Sequence, residues 1–585
     1  MKYQLSQFGD TAKKTSVLAA LKKLLPLLAA EKMNLVWGLC AILVNAGINL
    51  LGPILTGRAV DKYILVGQYR GVLIISGVLL GLYLISLVAS YLQTKIMGTV
   101  GQNVLFNLRN AVFNKLQELP VAFYNENKAG DLISRINNDT DKLNQFFSQS
   151  LMQFIGNIFI MAGAGIFLLS INFKLGAATL LPALLLLIFT QLISAWVKAR
   201  NRASLQSVGG LSAEIQESLN NFKVIVAFNR RNYFREKFDA ANNQNYRAAV
   251  GAGVANNMFT PIYALCANLA QLIMLSYGLY LIAQGQFTIG LFVSFIGYIS
   301  RFYDPLRQLA ALWANFQVAL AGWDRISEIL ALDTDLATLP GAAQENAVLL
   351  EFKDVHFGYP NGKEVLRGIN LALKPGQTYA LVGPTGGGKT TTASLMARLY
   401  DPTQGVVLLN GADLRAYTPA ERTAKIGFIL QEPFLFTGTI RDNILYGNES
   451  YRHFTNDQLA AELAALGLEK LLTRFPEGLE TNVLAAGDAI SLGQKQLIAF
   501  IRAVLRRPDL LILDEATANV DTVTEQLLGE ILTKLPPTTT RVIIAHRLNT
   551  IENADEIFFV NSGELIRAGS MDHAVEMLLH GQRAS

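Results

Sequence analysis

Charge is scarce in this chain and cysteine scarcer still. Charged residues make up 16% of the 585 positions and apolar ones 51%, whereas ordinary soluble domains carry roughly 25% charge. That imbalance makes lipid the expected solvent for part of the chain. Only two cysteines occur, Cys40 and Cys266, both inside apolar runs, which excludes a disulfide framework or a thiolate metal cluster and reads as small buried side chains. The net charge of +5 is modest and spread out. No dense Lys/Arg tract or aromatic-basic alternation marks a nucleic-acid partner, and the basic excess suits anionic lipid headgroups instead. At this length a single core is excluded, and two or more domains are expected.

What is abundant before residue 330 is long apolar runs. Six lie near Leu35–Leu55, Val72–Leu92, Phe154–Ile171, Leu175–Val197, Tyr263–Ala283 and Ile289–Leu309, each long enough for a hydrocarbon core of ~30 Å. The sixth is the weakest, since Arg301, Asp304 and Arg307 fall in its second half. Ahead of the first, the basic, amphipathic stretch from Val17 has no small-residue cleavage site and suits an interfacial helix on the cytoplasmic leaflet. Runs two and three, and four and five, are separated by about 60 residues carrying Arg109, Lys115, Lys128, Arg135 and Lys142, then Lys198, Arg200, Arg202, Lys223, Arg230, Arg231, Arg235 and Lys237. The positive-inside rule puts both segments, and both chain ends, in the cytoplasm. Few prolines interrupt them, so each is expected to run ~40 Å out and back as two helices. The turns are expected within Phe123–Asp139 and Leu211–Ile225.

Residues 331–348 are polar, contain Pro and Gly, and read as a linker between a membrane domain (1–330) and a second domain (349–585). In the latter, β-type runs such as TYALVG, KIGFIL, LLILDE and RVIIAH alternate with helical ones, the pattern of an α/β nucleotide-binding domain. GPTGGGKTT comprises Gly383, Pro384, Thr385, Gly386, Gly387, Gly388, Lys389, Thr390 and Thr391, between a strand-like and a helix-like run. It fits a phosphate-binding loop: glycines let the backbone wrap phosphates, Lys389 neutralises β and γ oxygens, and the Thr390 hydroxyl can ligate Mg²⁺. LLILDE ends in Asp514, suited to the Mg²⁺ shell, and Glu515, suited to polarising a water that attacks the γ-phosphate of ATP.

These motifs resemble the nucleotide-binding domain of ABC transporters, and nearly the whole chain resembles an ABC exporter half-transporter: six transmembrane helices fused to one P-loop ATPase domain. The resemblance implies further roles. Tyr359 of FGYP would stack on adenine. Gln431 of ILQEPFLF would sense Mg²⁺ and contact the membrane domain. Ala518–Asp521 of TANVD would form the crossing loop, with Asp521 near nucleotide, and His546 of IIAHRLNTI would be the switch histidine. FYNENKAGDLISRINND resembles the first intracellular coupling region.

The family signature LSGGQ, which contacts the γ-phosphate on the opposite domain, departs here. Ile490-Ser491-Leu492-Gly493-Gln494 keeps Ser491, Gly493 and Gln494 but replaces the first glycine. The preceding Val483–Ala489 lacks the Glu and Arg of the family's GERG-like stretch. Leucine there is expected to remove access to φ > 0 and to set a branched side chain beside a charged ligand, unless the backbone has φ < 0 and tolerates it. A complete phosphate loop beside a departed signature resembles the catalytically intact partner in heterodimeric multidrug-type exporters. A heterodimer is therefore expected ahead of a homodimer.

Amides and aromatics in the spans (Asn45, Asn49, Asn157, Gln191, Asn268, Gln271, Tyr277 and Tyr298 among them) suit an amphipathic, uncharged or weakly cationic substrate, whether drug, lipid or peptide. They serve equally well as bonds across helices. The location expected is a cell membrane crossed in several passes, a bacterial inner membrane, with the ATPase domain in the cytoplasm. A non-transporting membrane ATPase or regulatory subunit is the rival reading. An importer component is a weaker one.

Overall fold

In the computed structural model the described residues are 3, 5, 25–332, 339, 348–359, 362–475, 477–483, 490–514, 522–544, 554–569, 573 and 576–577. They form two compact units: Ser6–Asn114 with Leu132–Leu330, and Met1–Leu5 with Lys115–Asp131 and Ala331–Ser585. The expected interfacial helix falls mostly outside the described residues.

The first unit is helical. Among the described residues, five helices are long and apolar enough to cross a membrane: Ala29–Ile64, Tyr69–Glu118, Ala129–Ile171, Phe173–Asn220 and Arg231–Ala283. The sixth expected span is also a helix, Ile289–Leu330, but it is not among those five. Arg301 and Arg307 explain the difference in physical terms, and the structure gives Arg301 a partner: its NH1 donates to Asn49 Oδ1 at 2.7 Å. The start of this helix is pinned by Asp61, which accepts from Gly290 N at 2.7 Å and Thr288 Oγ1 at 2.5 Å. A carboxylate at a helix N-terminus is favourably placed. Gly57 and Gly290 meet there backbone to backbone, leaving no room for a Cβ on either, as close helix approach in membranes requires.

Both long segments leave the membrane spans as helix continuations. The first helix ends before Pro120, which caps the short helix Val121–Glu126, because proline forces its predecessor out of helical geometry. The second turn falls at the carboxyl end of the expected stretch Leu211–Ile225 and runs slightly past it. Residues 211–220 still belong to the 48-residue helix Phe173–Asn220, and the turn is the short helix Phe222–Ala227. Asn221 ends the first helix, and Asn229, at φ 52°, follows the second; asparagine tolerates that left-handed conformation. Past the first turn, buried Arg135 and Asp139 pair with Glu328 and Arg325 at 2.9 Å each, and Lys142 joins Asp139 at 2.9 Å. Removing one partner would strand a buried charge, so this cluster fixes the helices around the turn against the end of the Ile289–Leu330 helix.

The second unit holds two main sheets. Strands β1 (Leu350–Gly358), β2 (Glu364–Leu373), β4 (Gln404–Leu409) and β5 (Ala412–Asp413) form one in the order β2-β1-β4-β5. The other contains β3 (Thr378–Val382), β6 (Ile426–Ile429), β9 (Leu510–Asp514), β10 (Thr540–Ile544), β11 (Glu556–Asn561) and β12 (Glu564–Arg567), in the order β12-β11-β3-β10-β9-β6. A two-stranded ribbon pairs β7 (Gly438–Thr439) with β8 (Asn482–Val483). Every residue of β9 is buried, as in parallel sheets covered on both faces. Residues after β3 and β9 therefore emerge at the same, carboxyl edge of one sheet, where ligands bind in open α/β folds.

Candidate nucleotide site

β3 delivers the chain into the loop 383–388, and the helix Lys389–Met396 leaves it. Glycine is required here by geometry. Gly383 has φ +145° and Gly388 φ +115°, and a Cβ on Gly383 would strike the Val560 carbonyl of β11. Lys389 is 5% exposed, and its ammonium donates to the carbonyls of Gly383 at 2.8 Å and Pro384 at 3.0 Å. The cation is thus held inside the curl of the loop, where phosphate oxygens could replace those carbonyls. Thr385, Gly386 and Gly387 complete the curl, and Gly563 N donates to the Gly387 carbonyl at 3.1 Å.

The Thr390 hydroxyl donates to Asp514 Oδ1 at 3.3 Å, joining two candidate Mg²⁺ ligands 124 positions apart. Asp514 is buried at the end of β9. One carboxylate and one hydroxyl fit Mg²⁺, which completes its octahedron with water and phosphate rather than a protein cage. Gln431 lies exposed, two residues past β6, the sheet neighbour of β9. Glu515, Asp521 and His546 lie outside the described residues, as does most of Val483–Ala489. The strands that lead to Glu515 and His546, β9 and β10, are adjacent, with Asp514 opposite Ile544.

Tyr359 follows β1, and its hydroxyl lies 3.1 Å from that of Thr391. Its ring meets Tyr400 edge-on at 5.3 Å and Phe357 at 5.0 Å. Burial pushes the Tyr400 phenol above its ordinary range, and its oxygen accepts from Asn125 Nδ2 at 2.6 Å. A residue of the short helix Val121–Glu126 thereby touches the aromatic cluster beside the phosphate loop. Next to Gly386 and Tyr359 opens a cavity of 660 Å³ whose other walls include Val365, Asn561, Gly563 and Ile566, within the size range of ligand pockets. Sequence reasoning missed these four. They come from three strands and a turn brought together by β2, β11 and β12, and the only local signal was the Asn561-Ser562-Gly563 turn.

Ser491 caps the helix Leu492–Val504. Its hydroxyl accepts from Gln494 N at 3.2 Å, and Gln494 Oε1 accepts from Ser491 N at 2.9 Å. This capping box satisfies two helix-end donors reciprocally. Leu492 is the first residue of the helix and has no positive φ, which corrects half of the expectation: glycine is not needed here for conformation. What remains is bulk, since Leu492 is 39% exposed at the helix start. Gly493 follows in the first turn, whose N–H groups have no partner within the helix.

Residues 35–306 match the family model described as ABC transporter transmembrane region, and residues 366–518 match that described as ABC transporter. The chain is similar to an uncharacterized ABC transporter ATP-binding protein, YfiC, of Bacillus subtilis (strain 168), 32% identical over 96% of this chain and 93% of that protein. It is similar to a fatty acid ABC transporter ATP-binding/permease protein of Mycobacterium tuberculosis (strain CDC 1551 / Oshkosh), 34% identical over 84% of this chain and 77% of that one. Among solved structures, a bacterial Atm1-family ABC exporter with ATP bound aligns with a TM-score of 0.78 and 25% identity, covering 95% of this chain and 99% of that chain.

Proposed function

This chain belongs to the ABC transporter family, fusing an exporter-type membrane region to an ATPase domain that hydrolyses ATP to drive transport, and on that premise we propose how its residues divide the work. Lys389 and the N–H groups of 383–391 cradle the β and γ phosphates, and Tyr359 stacks on adenine. Thr390, Asp514 and Gln431 would hold Mg²⁺, which neutralises phosphate charge when bound. Glu515 accepts a proton from the attacking water, and His546 orients the γ-phosphate end. The observation that carries this reading is the contact of Thr390 with Asp514 beside the inward-held Lys389.

ABC exporters act as dimers, and in this one Ser491, Gly493, Gln494 and Asp521 face nucleotide held by the second half-transporter. We favour a heterodimer. The exposed leucine at the signature helix start supports a weakened site on this chain's signature, while its own phosphate loop would meet an intact signature. The absence of a positive φ at Leu492 is what favours the homodimer instead. The molecule exported is amphipathic or hydrophobic, crossing a bacterial inner membrane away from the cytoplasmic ATPase. The polar contacts between spans, such as Asn157 Nδ2 donating to Gln308 Oε1 at 3.1 Å, support a lining of amides among apolar groups.

Reconstitution in liposomes separates this from a regulatory subunit. Export predicts ATP hydrolysis that rises with a transported amphiphile, together with net movement of that amphiphile across the bilayer. Hydrolysis without movement of any amphiphile that stimulates it would overturn the proposal.

A further inference from the structure

We propose that Arg301 and its amide partners form a headgroup site for an anionic amphiphile, whose hydrocarbon tail occupies an aromatic pocket farther along the same helix. The proposal rests on the exporter reading and names the charge class of what is carried.

Arg301 stands twelve residues into the Ile289–Leu330 helix, about 18 Å along its axis. In a hydrocarbon core of ~30 Å that is near mid-depth. A guanidinium at such a depth is costly, and faces an interior or a polar cavity where it serves function. Its partner here is not an acid. NH1 donates to Asn49 Oδ1 at 2.7 Å, Asn49 Nδ2 donates to Asn45 Oδ1 at 2.8 Å, and Ser86 Oγ donates to the same Asn45 oxygen at 2.7 Å. The chain of neutral groups turns an amide oxygen toward the arginine and leaves its positive charge uncompensated. Among the described residues no carboxylate pairs with Arg301. Asp304, one turn on, is exposed, as is Arg307, which adds a second positive charge. Arg301 is half-buried, and a guanidinium carries five N–H donors in a fork that matches carboxylate or phosphate.

Gln308 and Leu312 follow Arg301 by seven and eleven residues, about two and three helical turns, with Pro305 in the interval. Gln308 holds Asn157. Leu312, Trp313 and Phe316 join Phe146, Phe154 and Ile158 around a pocket of 240 Å³ with no charged side chain in its lining. Leu312 lies about 16 Å along the axis from Arg301. A cationic donor at one end, amides between, and an aromatic, apolar pocket at the other match a molecule with an anionic head and a long tail. The uncharged or cationic substrates expected from the sequence would leave Arg301 without a counter-charge.

Trp313 supplies the probe. The full-length protein, as purified with any partner subunit, is placed in nanodiscs with Trp37, Trp196 and Trp323 changed to Phe and with the partner's tryptophan signal subtracted. It is titrated with a brominated long-chain fatty acid and with the methyl ester of that acid. Saturable quenching of Trp313 is expected, with half-saturation by the acid at a concentration about tenfold lower than by the ester, the scale of a charge-assisted hydrogen bond. Arg301→Met should abolish that preference and Arg301→Lys should retain part of it. Equal half-saturation by acid and ester, or quenching that never saturates, would overturn the proposal without any variant. ATP hydrolysis is measured on the same preparation: a protein that hydrolyses ATP but shows no preference for the acid loses this inference and keeps the exporter reading.

Discussion

The phosphate loop and the signature segment are both glycine-bearing helix starts within one ATPase unit, yet glycine has a different task in each. At Gly383 and Gly388 the backbone is left-handed, and a Cβ at 383 would collide with the Val560 carbonyl. At position 492 the chain has already entered the helix, and Ser491 with Gln494 fixes the geometry through side chains. Leucine therefore replaces glycine only where conformation does not demand it. Its consequence is steric, a branched side chain beside the first-turn N–H groups, and it leaves the cap intact. A missing glycine weakens a phosphate site by an amount that depends on φ and on what the Cβ meets.

Breaking the chemistry on the phosphate-loop side should have the largest effect. Glu515→Gln should leave ATP binding nearly intact and cut turnover at least ~100-fold, the scale of a lost base; a purified complex hydrolysing ATP near the parent rate would remove Glu515 from that role. Lys389→Ala should lower ATP affinity by roughly 10- to 100-fold, because charged phosphate loses a charge-assisted donor, and photolabelling of this subunit by an azido-ATP analogue would report it. The same comparison can be sharpened through stability. Gly383→Ala forces a side chain into left-handed backbone and should cost about 1–3 kcal/mol, measured as a fall in Tm. Leu492→Gly should change stability by less than ~1 kcal/mol, the difference in helix propensity. In a heterodimer it should also leave overall turnover within about twofold, since only the site with the weaker signature is altered. In a homodimer both sites change, and turnover should rise several-fold.

Local pattern made much of this readable in advance. Apolar runs of sufficient length announced the spans, and a glycine-rich loop between strand and helix announced the phosphate site. LLILD announced a β-strand ending in a carboxylate. The harder features depend on residues far apart in sequence. Arg301 weakened the sixth span on composition because its partner Asn49 sits 252 positions away. The expected turn Leu211–Ile225 is too broad on its amino side, where residues 211–220 continue the helix Phe173–Asn220. Asn561 and Gly563 reach the cavity beside Gly386 through sheet pairing, and the turn Asn561-Ser562-Gly563 that marks them locally does not say which loop they face. Leu492 was misjudged in part because a motif gives residue types without φ, and the capping box Ser491-x-x-Gln494 that reveals a helix start was already present in the sequence.

The central claim is that this chain couples a working phosphate loop to a signature that faces a partner's nucleotide. It is tested most directly by the ATPase rate of the Ser491→Ala variant, with and without a second half-transporter. The account predicts that the chain alone is nearly inactive, that pairing with a complementary subunit restores turnover, and that Ser491→Ala then changes the rate little. If the chain purifies alone as an active ATPase and Ser491→Ala abolishes that activity, as loss of a hydrogen bond to phosphate worth roughly 1.5–3 kcal/mol would in both sites at once, the asymmetric arrangement is contradicted and the exporter is a homodimer.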